Sequence, residues 1–160
     1  MAAWFGSLVL VLLALPVAGQ PAESQRPNLS GTWKLNLARS GPTLPRGTEA
    51  LTMVIEHREP SIHTSETRTV SGKTTHTDSG TSKIDGQLRV EHPKPGVTVK
   101  STQTWSDSTL VMHWEMTEKG TTYISDIRTS LSPDGKVLTM AEHYEEPGME
   151  RIRDWVFDKQ

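Results

Sequence analysis

The chain has 160 residues, with 17 Lys plus Arg, 19 Asp plus Glu, a formal charge of −2 and no cysteine. Disulfides, thiolate metal sites and a Cys nucleophile are therefore excluded, and there is no basic excess of the kind that a general nucleic-acid binder carries. The length sets one domain as the default.

Residues 1–19 read as a secretory signal peptide. Leu8 to Val17 is almost wholly apolar, and Val17-Ala18-Gly19 offers small side chains before Gln20. The apolar run is shorter than the roughly 20 residues of a membrane-spanning helix. The n-region has no Lys or Arg, so an N-terminal membrane anchor is the alternative. Without Cys, attachment through a lipobox is excluded. The expected location is secreted or periplasmic. Of the 141 residues that follow, 39 are apolar, a low share for an ordinary domain. Thr and Ser fill the difference, and Thr favours strands. Many strands with few apolar residues point to a barrel with a partly polar interior.

Residues 20–29 read as a flexible lead, and 30–160 as the folded domain. The first strand is Gly31 to Leu37, with Trp33, Leu35 and Leu37 on one face and Thr32, Lys34 and Asn36 on the other. That is the two-residue period of a strand. Residues 39–49 form a loop. Leu51 to His57 is the next strand, then a turn at Glu59-Pro60-Ser61 and a Thr-rich strand from Ile62 to Val70. Turn signals at Ser71-Gly72-Lys73, Asp78-Ser79-Gly80 and Asp85-Gly86 predict short hairpin strands, and Pro93-Lys94-Pro95-Gly96 breaks the chain again. The second half is a meander of strands at 97–105, 110–116, 123–131, 137–144 and 149–157. Apolar residues nowhere recur at helical spacing after the signal. The predicted fold is all-β: a closed antiparallel up-and-down β-barrel of eight to ten strands, which removes its own edges. A transmembrane barrel needs a continuous outward apolar band, and most strands carry charge or Thr there.

Leu29-Ser30-Gly31-Thr32-Trp33-Lys34-Leu35-Asn36 resembles the first strand of the calycin barrels, the lipocalins and fatty-acid-binding proteins. Gly31-Thr32-Trp33 matches the lipocalin Gly-x-Trp signature, and Trp155 to Lys159 looks like the closing strand. The phrase continuing through Ala38-Arg39-Ser40-Gly41-Pro42 is also similar to a group of secreted lipocalin-like proteins of soil bacteria. The resemblance implies that Gly31 lets the chain bend beneath the barrel floor, that Trp33 caps the floor, and that a cation from the last strand stacks on it. Arg153 is the first candidate and Arg151 the second, through a contact of about 0.5–2 kcal/mol. The Arg-x-Tyr carboxylate clamp of many fatty-acid-binding proteins is not reproduced: Trp155 and Phe157 stand at those places. Arg128 or Arg153 is left as a possible substitute.

Trp105, Met112, Trp114, Met116 and Tyr123 form the richest aromatic and Met cluster. Facing inward, they would line an adaptable apolar pocket or fill a core. His57, Glu59 and His63 flank one turn, and His143 lies near Glu142 and Glu146, but neither set has tight ligand spacing, so no metal is predicted. No Gly-x-Ser-x-Gly elbow, His-Glu-x-x-His or P-loop occurs, and no cofactor or catalytic constellation is expected. The resulting expectation is a binding protein for a small hydrophobic molecule, without a nucleic-acid partner or a stable membrane span. The alternative is a filled barrel that acts as an interaction module on proteins or envelope components.

Overall fold

The structure is a computed structural model and describes residues 26–160. The expected signal segment and most of the lead lie outside the described residues. Ten strands follow: β1 Gly31–Leu35, β2 Thr48–Arg58, β3 Ser61–Val70, β4 Lys73–Lys83, β5 Arg89–Glu91, β6 Val97–Ser106, β7 Thr109–Glu118, β8 Thr121–Leu131, β9 Val137–Glu146 and β10 Met149–Lys159. All pairings are antiparallel, in the order β4-β3-β2-β1-β10-β9-β8-β7-β6-β5. Tight turns punctuate this meander. Ser71-Gly72 and Lys119-Gly120 both have positive φ, the combination that joins twisted strands through two residues.

The expected closed barrel is corrected in one respect. β1 pairs with β10, but β4 and β5 are the two ends of the hydrogen-bonded sheet. The composition explains the seam. β4 has no apolar side chain and is exposed along nearly its whole length, so no apolar burial draws its free edge against β5. β5 has three residues, with Pro93 and Pro95 close behind, and proline cannot donate to a ladder. Among the described residues the seam is bridged at one end, where Ser82 Oγ donates to Gln103 Oε1 (3.1 Å) and Gly86 N–H to the Gln103 carbonyl (2.7 Å).

A second expectation changes in β4. Asp78-Ser79-Gly80 is not a hairpin turn. It is a bulge inside one long strand, where the register with β3 slips between His63 and Ser65. Asp78 Oδ1 accepts the Gly80 N–H at 2.8 Å, and Gly80 takes φ 68°, so the turn chemistry is satisfied without reversing the chain.

The core sits at one end of the sheet's interior. Trp33, Leu29, Leu138 and Phe157 are fully buried there with Leu35, Ile55, Ile62, Ile84 and Leu110. Leu29 belongs to the expected lead but is anchored. Its N–H donates to His57 Nδ1 (3.2 Å), and its carbonyl accepts the Trp33 Nε1–H (3.0 Å).

β1 is short, so it covers only Phe157 to Lys159 of β10. Residues 36–47 stand in for the missing half. Asn36 N–H donates to the Val156 carbonyl and Gly41 N–H to that of Asp154, both at 2.8 Å, and the Thr43 hydroxyl donates to the Ile152 carbonyl. The strap carries Leu44 onto the core and Pro45 to the wall of a cavity.

Candidate functional site

Residues directly opposite in an antiparallel pair share a face, so the register identifies the inner wall. Leu51 faces Arg68 and Met53 faces Glu66 across β2 and β3. Arg153 faces Glu142 and Trp155 faces Met140 across β10 and β9, and Ile127 of β8 faces Glu142. With Pro45 and Phe157, these eleven residues line a cavity of about 250 Å³ above the core. A larger open depression of about 550 Å³ lies at residues 92–98, but it is surface turn without a convergent set of charged groups.

The cavity combines an apolar body with four charges. Glu142 is the most engaged of them: its carboxylate accepts from Ser125 Oγ (2.8 Å), Trp155 Nε1 (3.1 Å) and Arg153 Nη1 (3.2 Å). The Arg153 and Glu142 side chains are 14% and 11% exposed. Removing one member of so shielded a pair strands the other charge. The Arg153 guanidinium also lies over the Tyr144 ring, 4.4 Å from its centroid. Burial, then the neighbouring Glu146 carboxylate that accepts its hydroxyl (3.3 Å), pushes the Tyr144 phenol above its ordinary pKa. Arg68 pairs with Glu66 at 3.3 Å and lies 5.6 Å from the Trp155 ring centroid. Arg68 Nε and Arg153 Nε are both shielded from solvent and without a hydrogen-bond partner among the described residues.

The expected floor cation is a correction. Lys159, not Arg153, sits over Trp33, with its ammonium 5.1 Å from the ring centroid. The register dictates this, since Trp33 is directly opposite Lys159. Arg153 lies six residues back along β10, about 20 Å away at 3.3 Å per residue. Gly31 accommodates the lysine: a Cβ there would meet Lys159 Cε at 2.8 Å. Arg151 is exposed near the other end of the strand.

The five predicted pocket residues divide. Met112, Trp114 and Met116 share the inner face of β7 with buried Leu110, and Tyr123 is directly opposite Met116. They are half-buried and stand beside the cavity wall rather than in it. Trp105 is at the closed end, tilted against the buried His57 ring (5.8 Å) and donating to Glu59 Oε1 at 2.6 Å. His57 and His63 occupy opposite faces, because His57 is opposite core residue Ile62 while His63 is opposite Glu56. His63 pairs instead with Asp78 (2.8 Å). No metal-binding group of three acids or histidines forms among the described residues. Glu66, Arg68, Glu142 and Trp155 were not predicted as site residues. In β3 the signal was the alternation itself, for Glu66 and Arg68 fall on the same face as Ile62.

No family model matches the chain, and no curated sequence matches it. Solved structures do. One is secretory abundant heat soluble protein 4 from Ramazzottius varieornatus, at 12% identity and TM-score 0.50, over 89% of this chain and 99% of that one. A fatty acid binding protein from Schistosoma mansoni, solved with arachidonic acid, matches at 18% identity and TM-score 0.43 over 82% and 96%. The fatty acid-binding protein of Drosophila melanogaster brain tissue matches at 16% and 0.48 over 82% and 99%. At 12% identity the likeness to the first of these is one of fold. Among the described residues, no helix is long and apolar enough to cross a membrane.

Proposed function

We propose that this protein binds a small, largely apolar molecule inside the sheet, above the core. The observation that supports this reading most strongly is the cavity of about 250 Å³. Leu51, Met53, Ile127, Met140, Trp155 and Phe157 give it apolar walls, and two Arg–Glu pairs give it a few placed polar groups. Ligand sites combine an apolar surface with a small number of orienting polar groups in this way. Trp155 supplies the readout. Titration with a hydrophobic fluorescent probe is expected to quench tryptophan emission, and mass spectrometry of protein purified from a lipid extract is expected to recover a small molecule. Absence of both responses would refute the reading.

The alternative, an interaction module, draws on Leu88 and Val90. They are 61% and 51% exposed beside the unpaired β5 edge, and an open edge can accept a partner's strand. In either case we propose a secreted or periplasmic protein, on the apolar run ending at Gly19. Intact mass of the exported chain is expected to begin at Gln20, and a mass that retains residues 1–19 would overturn that part.

A further inference from the structure

We infer that the closed end of the sheet carries a proton-operated latch: a proton on His57 Nδ1 removes the acceptor of the Leu29 N–H and frees residues 26–29 from the floor. The latch is independent of any ligand in the cavity.

Burial and bonding define it. The His57 side chain is 3% exposed, and both ring nitrogens are engaged. The Leu29 N–H lies 3.2 Å from Nδ1. A backbone N–H can only donate, so Nδ1 carries no proton and the neutral ring holds its hydrogen on Nε2. That hydrogen points to Glu59 Oε1, at 3.2 Å. The tautomer is thus set by the main chain of another segment. Leu29 is itself fully buried, and its carbonyl accepts the Trp33 Nε1–H at 3.0 Å. Ser30 is fastened differently. Its Oγ accepts the His57 N–H (2.9 Å) and donates to the His57 carbonyl (3.1 Å), main-chain groups that do not titrate. Ser30 is therefore the hinge, and the chain before it is the part that moves.

Charge sets the direction. An imidazolium donates from both nitrogens, so a proton added at Nδ1 faces the Leu29 N–H donor to donor. A buried donor without an acceptor is strongly unfavourable, and withdrawal of the segment returns the Leu29 N–H to solvent. Glu59 acts in the same sense. It faces Nε2, accepts the Trp105 Nε1–H (2.6 Å) and holds Arg26 at 3.4 Å. Once the ring is a cation, Glu59 has a charged partner that does not depend on Arg26, so both ends of the segment lose their hold together. Arg58 and Lys83 align with Ser61 on the outer face, away from the ring. Asp107, in the turn after Trp105, makes no hydrogen bond or ion pair with the ring among the described residues.

Nitrogen-15 NMR and amide exchange on the full chain test this at about pH 8 and about pH 5, the interval in which histidines change charge. At the higher pH the His57 ring is expected as the Nε2–H tautomer. At the lower pH a charged ring is expected, with the protection factor of the Leu29 amide reduced about tenfold or more. The Asn36 amide, held by the Val156 carbonyl at 2.8 Å, is expected to keep its protection. In His57→Asn the side-chain oxygen stands in for Nδ1 as an acceptor that does not titrate, so Leu29 is expected to stay protected at both pH values. An Nδ1–H tautomer at the higher pH, a ring still neutral at the lower one, or a charged ring with Leu29 protection intact overturns the latch. So does a folded His57→Asn chain that still loses Leu29 protection in acid. Where His57→Asn does not fold, the ring and amide signals of the unaltered chain decide alone.

Discussion

At the scale of single residues, Trp33 carries the floor. It is fully buried, bonded through its indole to Leu29 and covered by Lys159. Trp33→Ala is expected to cost about 3–5 kcal/mol, read as a lower urea midpoint. The outer face offers a titrating residue. His143 Nε2 lies 2.6 Å from Glu150 Oε1. That bond, then the charges of Glu150, Glu145 and Asp126, raise the imidazole pKa above its ordinary 6.5. A raised pKa means that the contribution to stability is complete below about 6.5 and fades as pH climbs through the higher folded value. Because the side chain is open to solvent on one side, at 37% exposure, the effect on stability is small, and NMR is the better readout. In Glu150→Gln, the His143 titration midpoint is expected to fall. Sequence reading named Gly31 and Trp33 for the floor and Arg153 for its cation, whereas Lys159 lies over the Trp33 ring. Choosing Lys159 over Arg153 required the register of β1 on β10, and two strands 114 residues apart in sequence (Leu35 to Met149) do not announce their register.

At the scale of elements, nearly every strand was legible, because alternation survives even where the apolar residue is Met or Trp. Leu110, Met112, Trp114 and Met116 mark β7 in this way. What escaped was local chemistry with two outcomes. Asp78-Ser79-Gly80 satisfies the same Asx bond in a turn or in a bulge, and only pairing with β3 decides between them. The charged pair Glu66–Arg68 reads as solvent-facing when composition is weighed over period. Residues 39–49 were legible as a loop, but Asn36 and Leu37 read as strand, and the role of 36–47 as a substitute strand was not legible. Ser40 fastens it, with its hydroxyl donating to the Asn36 carbonyl (2.8 Å) and accepting the Val156 N–H (3.0 Å). Ser40→Ala is expected to cost about 1–2 kcal/mol for the two bonds and to speed amide exchange at Val156, measured by hydrogen–deuterium exchange.

For the whole molecule, period two and spaced turns were enough to predict an antiparallel meander, and the ten strands agree with it. Closure was not legible, because it depends on whether the last pair of edges has anything to hold them. β4 ends in Lys73 and Lys83. Lysines on an edge oppose pairing with another copy, and in an antiparallel self-pairing centred on Asp78 the two would meet like charge to like charge. Lys73→Val with Lys83→Val is therefore expected to turn a single species into dimers or larger assemblies by light scattering. An unchanged mass would show that the lysines do not guard this edge.

The seam also has a mechanical meaning. A fully stitched cylinder cannot change its girth without tearing rungs from its ladder, whereas this one behaves as a split ring. Ser82 and Gln103 act as a clasp at the base, and above it a widening of the seam between β4 and β5 would break no rung of the ladder.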